Sequence, residues 1–371
     1  MSDAAGGGPK AKGVDFASIE RELAALWQQN ESGGDGEERP ATRACMSNLL
    51  VACGTARDGE AVAAEIEPVV QQHPSRVLIL VSEGSGQGND VDAIVSAACY
   101  LGEGGRKICA ETVLLYAASD PARRLPATVR PLVIGDLPTS LWWAGDEPAV
   151  LAGDLFRELA SMSQQVIVDS SCWRNPAQGL AATARWALGS SSGGVGLSDL
   201  AWTRTFPWRS ALGQALDPQS VPGALRSISR VRIEHAPNGT TQALLMTAWL
   251  AARLGWEAPS VRSEGGRVEA KYRSSTSSRI VEILRQDSGE GLASVTVGWE
   301  GGDEPREMRL RRIGDERLGV ARGSAEPHHV RPLLDRGRAW LVARELADLG
   351  RDRVFRQTLE ASQRLVESSA S

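Results

Sequence analysis

The hydrophobic residues in the first half of the chain fall into short continuous runs. Residues 77–81, 137–143 and 166–169 are almost entirely apolar, and segments with helical spacing separate them. A short apolar run is typical of a strand buried on both faces. Residues 91–100 and 107–117 alternate between apolar and polar positions and predict an antiparallel hairpin. We therefore predict a mixed α/β sheet in the N-terminal half, with the three runs as central strands.

The second half of the chain has a different pattern. A strand is predicted near 225–234, and residues 240–254 form a nearly all-apolar helical segment that Gly255 ends. Alternating apolar and charged segments follow up to about residue 310, which predicts an antiparallel meander with one face in water. Two helices, 328–349 and 351–367, are expected to cover its other face. This pattern indicates an α+β domain with C-terminal helices.

The composition of the chain suggests where the domains begin and end. Residues 1–14 are rich in small and polar residues and predict a disordered tail, and an amphipathic helix follows at 15–29. Proline and glycine concentrate at 213–223, which marks a domain junction. We predict a mixed α/β domain at 15–215 and an α+β domain at 216–371.

Bulk properties exclude several functional classes. The 371 residues are 42% hydrophobic and 23% charged, which is the composition of a globular protein. The net charge of −5 argues against general binding to nucleic acid. No apolar run approaches the length of a membrane span, and the N-terminus lacks the apolar core of a secretory signal. We therefore expect a cytoplasmic protein that binds neither nucleic acid nor a membrane.

The five cysteines show no ligand or pairing pattern. They lie in apolar surroundings without C-x-x-C or Cys/His spacing, so we predict reduced, buried thiols. Cys99 and Cys109 would face each other across the predicted hairpin. Because a cross-strand disulfide needs particular geometry, we favour two small buried side chains at these positions.

Motifs that carry catalysis or cofactor binding are not recognisable in the chain. We find no G-x-S-x-G elbow, P-loop or H-E-x-x-H. The glycine loop 84–88 follows a buried strand, but position 89, where the dinucleotide fingerprint needs a third glycine, is Asn89. We therefore expect no metal and no cofactor, and the missing catalytic motifs are consistent with a protein that is not an enzyme. An arginine cluster at 306–317 is interpreted as a solvated sheet face, with an anion-binding or acidic-partner patch as the alternative.

Two stretches rich in tryptophan stand out as candidate recognition segments. The first is 136–148, DLPTSLWWAGDEP, in which Trp142 and Trp143 would point to opposite faces of a strand. One indole would then be core, and the other would either meet a second layer or anchor a partner. The second stretch, 199–209, carries indole and guanidinium groups at a density typical of a polar-lined core or a recognition surface.

The chain resembles the OpcA-type glucose-6-phosphate dehydrogenase assembly proteins. The resemblance is carried in order by CMSNLLVAC near residue 50, HPSRVLIL, the DLP-x-x-x-WW-x-G segment, VIVDSS, DLAWTRTFPWRSAL and LLMTAWLAARLGW. It covers roughly residues 40–260. The resemblance implies a non-catalytic assembly factor or allosteric activator that binds glucose-6-phosphate dehydrogenase in the oxidative pentose phosphate pathway. The candidate partner-binding residues are Asp136, Pro138, Trp142, Trp143, Trp202, Arg204, Trp208 and Arg209.

A second class of function stays open from the residues themselves. Asp169 and Ser170 follow a predicted buried strand, VIVD at 166–169. Polar groups at the carboxyl end of such a strand often mark the ligand side of an α/β sheet, although they also commonly cap the next helix. The alternative is therefore an enzyme or sensor that binds a sugar phosphate or nucleotide in the sheet crevice, with Asp169 and Ser170 as candidate ligands.

Overall fold

A computed structural model places the chain in two compact units. It describes residues 16–31, 42–43, 45–83, 91–101, 107–257, 259–273, 278–301, 306–323, 325–327, 329–333, 337–350 and 352–368. The predicted tail 1–14 and the glycine loop 84–88 lie outside these residues. The first unit comprises Met1–Val168, Ser191–Ser198 and Gly337–Arg351, and the second comprises Asp169–Ser190, Asp199–Arg336 and Asp352–Ser371. These units interleave along the chain, so the limits 15–215 and 216–371 stay a prediction about independently folding segments.

The first unit is built on an eight-stranded mixed sheet. Its strands are β1 (Thr42–Arg43), β2 (Ser47–Cys53), β3 (Ser75–Val81), β4 (Val91–Leu101), β5 (Lys107–Ala117), β6 (Thr139–Trp143), β7 (Gln165–Val168) and β8 (Gly196–Asp199). Strands β2, β3, β6 and β7 are buried along most of their length, as their continuous apolar sequences predicted. The three predicted central strands are confirmed.

The strand order of this sheet is that of a doubly wound fold. β2 lies at the centre and pairs in parallel with β3 on one side and with β6 on the other. β5 follows β3, and β7 and β8 follow β6, while β4 joins β5 as the antiparallel partner of the predicted hairpin. When β1 and the hairpin strand β4 are left out and the others are numbered along the chain, the strand order is 3-2-1-4-5-6. This is the Rossmann arrangement, whose topological switch point lies between β2 and β6.

The described residues of the first unit form five α-helices. They are α1 (Phe16–Glu31), α2 (Ala56–Gln72), α3 (Pro121–Val129), α4 (Asp154–Ser161) and α10 (Arg338–Asp348). Thr55 is the N-cap of helix α2, and its hydroxyl accepts from the amide of Asp58 in a capping box. It buries Val62, Ile66 and Val69, which lie at helical spacing along one face. It ends before Pro74, because the residue preceding a proline disfavours the helical conformation.

The second unit carries another eight-stranded sheet, in the order β10-β11-β12-β9-β13-β14-β15-β16. Its strands are β9 (Ile228–His235), β10 (Ser260–Glu264), β11 (Arg267–Arg273), β12 (Ser278–Arg285), β13 (Leu292–Trp299), β14 (Arg306–Ile313), β15 (Arg317–Arg322) and β16 (His329–Pro332). Neighbouring strands of this sheet are antiparallel except β9 and β12, which are parallel. The predicted antiparallel sheet is confirmed, but it is not a simple meander, because β9 lies between β12 and β13.

Helices cover the apolar face of this second sheet. The helices of the unit are α5 (Pro176–Leu188), α6 (Leu200–Arg204), α7 (Phe206–Ala215), α8 (Ala224–Ser227), α9 (Thr240–Leu254) and α11 (Arg353–Glu367). α9 contacts β9 and β12, and α7 contacts β14 and β15. Gly255 ends α9 with φ of 64°, a left-handed conformation that glycine adopts without strain.

Two predictions for the C-terminal helices are wrong. The helix predicted at 328–349 begins only at Arg338, and His329–Pro332 instead forms an edge strand against β15. Pro332 suits an edge strand because it has no amide hydrogen to donate to a further strand. The two helices also do not share one sheet: α10 packs on α2 in the first unit, and α11 packs on α9 and α5 in the second. An apolar stripe predicts burial but not the surface that covers it.

Within the arginine cluster at 306–317, Arg309 and Arg311 lie on the solvated side of the second sheet, as we favoured. Both are exposed, while Met308 and Leu310, which alternate with them along the strand, are buried. Arg309 pairs with Glu307 at 2.8 Å on the same strand. The charge of Arg309 is thus partly neutralised within the strand, which fits a wet sheet face.

The prediction that every cysteine is reduced is wrong. Cys45, Cys53 and Cys172 are free thiols, but Cys109 is disulfide-bonded. Cys99 lies directly opposite Cys109 in the register of β4 and β5. Antiparallel register brings directly opposed backbones to within about 5.5 Å between Cα atoms, a separation that a disulfide tolerates.

Candidate functional site

The segment 136–148 contains the central strand β6, and Asn48 holds the turn that precedes this strand. The carboxamide of Asn48 donates to the carbonyl of Ile134 at 3.0 Å and accepts from the amide of Ile134 at 2.9 Å. The backbone amide of Asn48 donates to the carbonyl of Pro138 at 2.8 Å. Asp136 is exposed and Pro138 is half-buried. The turn before β6 is therefore fixed by one buried side chain, and it presents Asp136 to solvent.

The two adjacent tryptophans have the different environments that strand alternation predicts. Trp142 is completely buried, and the guanidinium of Arg338 lies 5.3 Å from its ring centroid. Its indole N–H has no hydrogen-bond partner among the described residues. Trp143 is half-buried and meets Phe156 edge-on, with ring centroids 6.0 Å apart. Trp142 is a core residue, and only Trp143 offers part of its indole to the outside.

The switch point between β2 and β6 contains a feature that our reading of the sequence missed. The turn from β2 into α2 reads Gly54-x-Ala56-x-x-Gly59, which departs from the dinucleotide fingerprint only at its second glycine. Gly59 plays the packing role of the third glycine, because a Cβ there would lie 2.6 Å from Val81. The spacing of Gly54 and Gly59 is visible in the sequence, but Ala56 stands where the fingerprint has its second glycine.

The residues at this helix terminus do not fit a dinucleotide phosphate. The amide of Ala56 donates to the carboxylate of Glu83 at 2.9 Å, and the hydroxyl of Thr55 donates to the carboxylate of Asp58 at 2.7 Å. In dinucleotide-binding folds the helix N-terminus faces the pyrophosphate, which gains from the positive end of the helix dipole. Here two carboxylates of the chain take that position, and their charge would repel a phosphate.

In the second unit, Asp169 forms a buried ion pair with Arg204. The two guanidinium nitrogens donate to the two carboxylate oxygens at 2.8 and 2.9 Å, a bidentate geometry. The backbone amide of Ser171 also donates to Asp169, at 3.2 Å. Burial by itself raises the pKa of Asp169, but the Arg204 guanidinium and the Ser171 hydrogen bonds outweigh it, so that the pKa falls below its ordinary value.

A second buried carboxylate, Asp199, lies beside this pair. The hydroxyl of Ser170 donates to Asp199 at 2.5 Å, and the amides of Ser170 and Ala201 donate at 3.1 and 2.9 Å. Burial raises the pKa of Asp199 to about 6 even though these hydrogen bonds favour its charged form. Thr241 in turn donates to the carbonyl of Ser170 at 2.8 Å. Ser170 is fully buried, so its hydroxyl serves this network and is closed to solvent.

The stretch 199–209 forms a compact stack of aromatic and cationic side chains. The guanidinium carbon of Arg209 lies 3.3 Å from the ring centroid of Trp202 and 5.9 Å from that of Phe206. The ring of Trp202 also stacks on that of Phe355, with ring centroids 5.3 Å apart. Its indole N–H donates to the carboxylate of Asp352 at 2.8 Å. Phe206 is 47% exposed. Arg209 and Phe206 therefore form a surface patch that a buried indole supports.

The structure separates the predicted site residues into three groups. Trp142, Trp202 and Trp208 are core, with exposed fractions of 0, 4 and 1%. Asp169, Ser170 and Arg204 belong to the buried polar network described above. Asp136, Pro138, Trp143 and Arg209 are exposed or half-buried, and Phe206 joins them as a residue that the sequence did not single out. Phe206 stands next to Pro207 at the start of a helix, and nothing in the sequence indicated that its side chain would be exposed.

The described residues offer little nucleophilic or metal-binding chemistry. Burial is the largest influence on the Cys53 thiol and raises its pKa to about 12, so the reactive thiolate is disfavoured. Among the residues that the structure describes, no group of three or more His, Cys, Asp and Glu side chains could hold a metal ion. Within the same residues, no helix combines the length and apolar character that crossing a membrane requires.

The fold is that of an α/β protein with a doubly wound sheet in one unit and an open, largely antiparallel sheet in the other. The buried carboxylates Asp169 and Asp199 are bound by side chains of the chain itself. Residues 67–185 match the family model described as the glucose-6-phosphate dehydrogenase subunit N-terminal domain. Residues 195–359 match the model of the C-terminal domain of the same subunit. The chain belongs to this family, the OpcA family of glucose-6-phosphate dehydrogenase assembly proteins.

Two similar relatives carry the name OxPP cycle protein OpcA. The one from Nostoc punctiforme is 32% identical over 54% of this chain and 42% of its own length. The one from Synechocystis is 24% identical over 79% of this chain and 64% of its own length. This chain therefore spans less than two thirds of either relative. Among solved structures, the 3-ketoreductase KijD10 from Actinomadura kijaniata is similar with a TM-score of 0.46 and 10% identity, over 87% of this chain and 97% of that one.

Proposed function

We propose that this chain is a non-catalytic subunit that binds glucose-6-phosphate dehydrogenase and favours its active oligomer. The observation that carries the proposal is the match of both domain models of the dehydrogenase subunit, in order, to residues 67–185 and 195–359. A protein that binds one oligomeric state of its partner more tightly shifts the population toward that state without chemistry of its own. The cytoplasm is the compartment in which we expect this to happen.

The way the polar groups are used supports a non-catalytic role. The carboxylate of Asp169 is engaged by Arg204, and that of Asp199 by Ser170 and two backbone amides. At the switch point of the first sheet, the carboxylate of Glu83 accepts from the amide of Ala56, which would face a nucleotide phosphate. The groups best placed for ligand chemistry are thus committed to partners within the chain.

In the second unit, the contact surface that we propose is the patch formed by Phe206 and Arg209. Aromatic and guanidinium groups suit interface hot spots, because they bury a large area while keeping a polar handle. Arg209 is held in place by Trp202 at 3.3 Å and by a hydrogen bond to the hydroxyl of Thr205 at 2.9 Å. A side chain fixed before binding loses less conformational entropy on association.

In the first unit, the candidate contact segment is 136–148. Asp136 is exposed on a turn that Asn48 fixes, and Trp143 presents part of its indole. We propose that this segment and the Phe206–Arg209 patch each contribute to dehydrogenase binding. The buried tryptophans Trp142, Trp202 and Trp208 support these surfaces from below without touching the partner.

The experiment mixes the purified chain with the dehydrogenase of the same organism. Light scattering coupled to size exclusion measures assembly, and a titration of dehydrogenase rate measures activation. Phe206→Ala and Arg209→Ala are expected to weaken binding about 30-fold each if they are hot spots. Leu225→Ala is the matched control, since Leu225 is also an exposed apolar residue of the second unit, 37% exposed. If the wild-type chain at saturation changes neither the assembly nor the rate of the dehydrogenase, the proposed function is wrong.

A further inference from the structure

The second unit contains a cavity that the proposed function does not use. It lies between helix α7 and strands β14, β15 and β16, and its volume is about 310 Å³. Buried Met308, Val320 and Val221 supply apolar walls, and Gln214 and Ser220 supply polar groups. Ligand pockets in proteins are typically about 300 to 1,000 Å³ and combine apolar walls with few polar groups. The cavity is therefore large enough for a small metabolite.

The strand register brings two arginines to this cavity. Met308 lies opposite Arg322 across β14 and β15, and Val320 lies opposite His329 across β15 and β16. Because side chains two residues apart share one face of a strand, Arg322 lies on the face of Val320, and Arg331 lies on the face of His329. Both guanidinium groups thus line the cavity at the edge of the sheet.

The charges in this cavity are not balanced by acids. No Asp or Glu is among its described lining residues. The guanidinium of Arg322 makes no hydrogen bond or ion pair with the residues that the structure describes, and Arg331 donates to the neutral carboxamide of Gln214. On the opposite face of the same sheet, by contrast, Arg309, Arg232 and Arg267 each pair with a glutamate. The two arginines in the cavity are available to an anion.

We propose that this cavity binds a small organic phosphate monoester. Such a group carries about −1.5 to −2 charges near neutral pH and offers three acceptor oxygens, which two guanidinium groups can satisfy. The carbon skeleton of the ligand packs on Met308 and Val320, and Gln214 and Ser220 are placed to meet its hydroxyl groups. The proposal goes beyond dehydrogenase binding and does not depend on it. It gives the subunit a metabolite-sensing site of its own.

The test measures ligand binding to the chain alone, without the dehydrogenase. Isothermal titration and thermal melting are carried out with glucose 6-phosphate, inorganic phosphate and malate as probes. We expect glucose 6-phosphate to bind and to raise the melting temperature by linkage. Arg322→Gln and Arg331→Gln are each expected to weaken binding at least about tenfold, since each removes charge-assisted hydrogen bonds. Arg311→Gln is the matched control, because Arg311 is an exposed arginine of the opposite sheet face and its loss should leave affinity unchanged.

A further variant separates shape from charge. Ala215 is half-buried and lines the cavity, so Ala215→Leu fills space without changing any charge. We expect it to abolish binding of glucose 6-phosphate while the melting temperature without ligand stays near that of the wild type. Absence of wild-type binding at millimolar probe overturns the proposal. So does binding that survives both arginine substitutions, or malate that binds as tightly as glucose 6-phosphate. None of these results bears on dehydrogenase assembly, so the two proposals fail independently.

Discussion

The hydroxyl of Ser170 donates to the carboxylate of Asp199 at 2.5 Å in the interior of the second unit. Ser170 lies in the turn after strand β7, and Asp199 caps helix α6 by accepting from the amide of Ala201. The contact joins two segments that lie 29 positions apart in the chain. Because Asp199 is fully buried, its ionisation is tied to folding, which leads to the first prediction.

We predict that Asp199 makes the protein less stable as pH rises from about 4 to about 7. Burial raises its pKa from the ordinary value of 3.8 to about 6, so between these values the folded chain binds a proton that the unfolded chain has lost. Its contribution is present below pH 3.8 and is lost as pH rises through 6. The full difference corresponds to about 3 kcal/mol. Urea unfolding of wild type and Asp199→Asn across this range measures it.

The variant Asp199→Asn should lack this component of the pH dependence, since asparagine does not titrate. Asp315→Asn serves as the control, because Asp315 is an exposed carboxylate of the same unit. Parallel stability curves for wild type and Asp199→Asn would contradict the prediction.

The second prediction concerns the ion pair of Asp169 and Arg204. The exposed side-chain fractions are 7 and 18%, so removal of Arg204 leaves a buried carboxylate without its charge partner. We expect Arg204→Gln to destabilise the chain by about 3 kcal/mol, as is typical when one member of a buried pair is removed. Chemical denaturation provides the measurement. The double variant Asp169→Asn/Arg204→Gln should cost less than the sum of the single variants, and strict additivity would show that the pair is not coupled.

The third prediction separates the adjacent tryptophans. Trp142→Ala should cost about 3–5 kcal/mol of unfolding free energy, because the indole is fully buried and leaves a cavity. Trp143→Ala should cost less, since Trp143 is half-buried and contacts Phe156 by an edge. Thermal melts of both variants, combined with the dehydrogenase titration, test this. Equal and large losses of stability would make both indoles core and remove 136–148 as a contact segment.

The fourth prediction reverses the usual effect of replacing glycine in a helix. Gly→Ala inside a helix normally stabilises by about 1 kcal/mol. At Gly59 in α2 a methyl group would approach Val81 to 2.6 Å, so we expect Gly59→Ala to destabilise by about 1–3 kcal/mol. The double variant Gly59→Ala/Val81→Ala should recover part of the loss. Denaturant midpoints of the single and double variants decide the matter, and a stabilising single substitution would refute the close packing.

The fifth prediction is a thiol count. Cys109 is disulfide-bonded, whereas Cys45, Cys53 and Cys172 are free. The chain has five cysteines, so the unfolded, unreduced protein should present fewer than five thiols to a colorimetric reagent and all five after reduction. Five thiols before reduction would restore our first expectation. Cys109→Ser provides the control, because it cannot form the bond.

Much of the fold was readable from the sequence, because local patterns carry it. The apolar run of β3 predicted a strand with both faces covered, and the alternation from β11 to β14 predicted a sheet with one face in water. The prediction of one helix at 328–349 was wrong. Charged and apolar residues there fit a helix, but Pro332 and the free edge of β15 favour a strand.

The candidate site was less predictable. The sequence predicted that Trp142 and Trp143 point to opposite faces of the strand. It did not predict which of the two faces is the core, because both faces of a central strand are covered by apolar neighbours. Asp199 and Arg204 belong to the same stretch, 199–209, but the structure pairs Arg204 with Asp169 and leaves Asp199 to Ser170. The choice between two carboxylates depends on the path of the chain between β7 and α6, which no local pattern encodes.

The sequence by itself determined the positions of most strands and helices, the alternation of the two indoles, and the family through six motifs in order. These are properties of short segments, because strand period, helix period and turn chemistry act over a few residues. The tertiary structure alone decided which carboxylate meets which arginine, that Glu83 caps α2 at the switch point, and that Arg322 and Arg331 share one cavity. Such relations join distant segments, and packing of the whole unit fixes them.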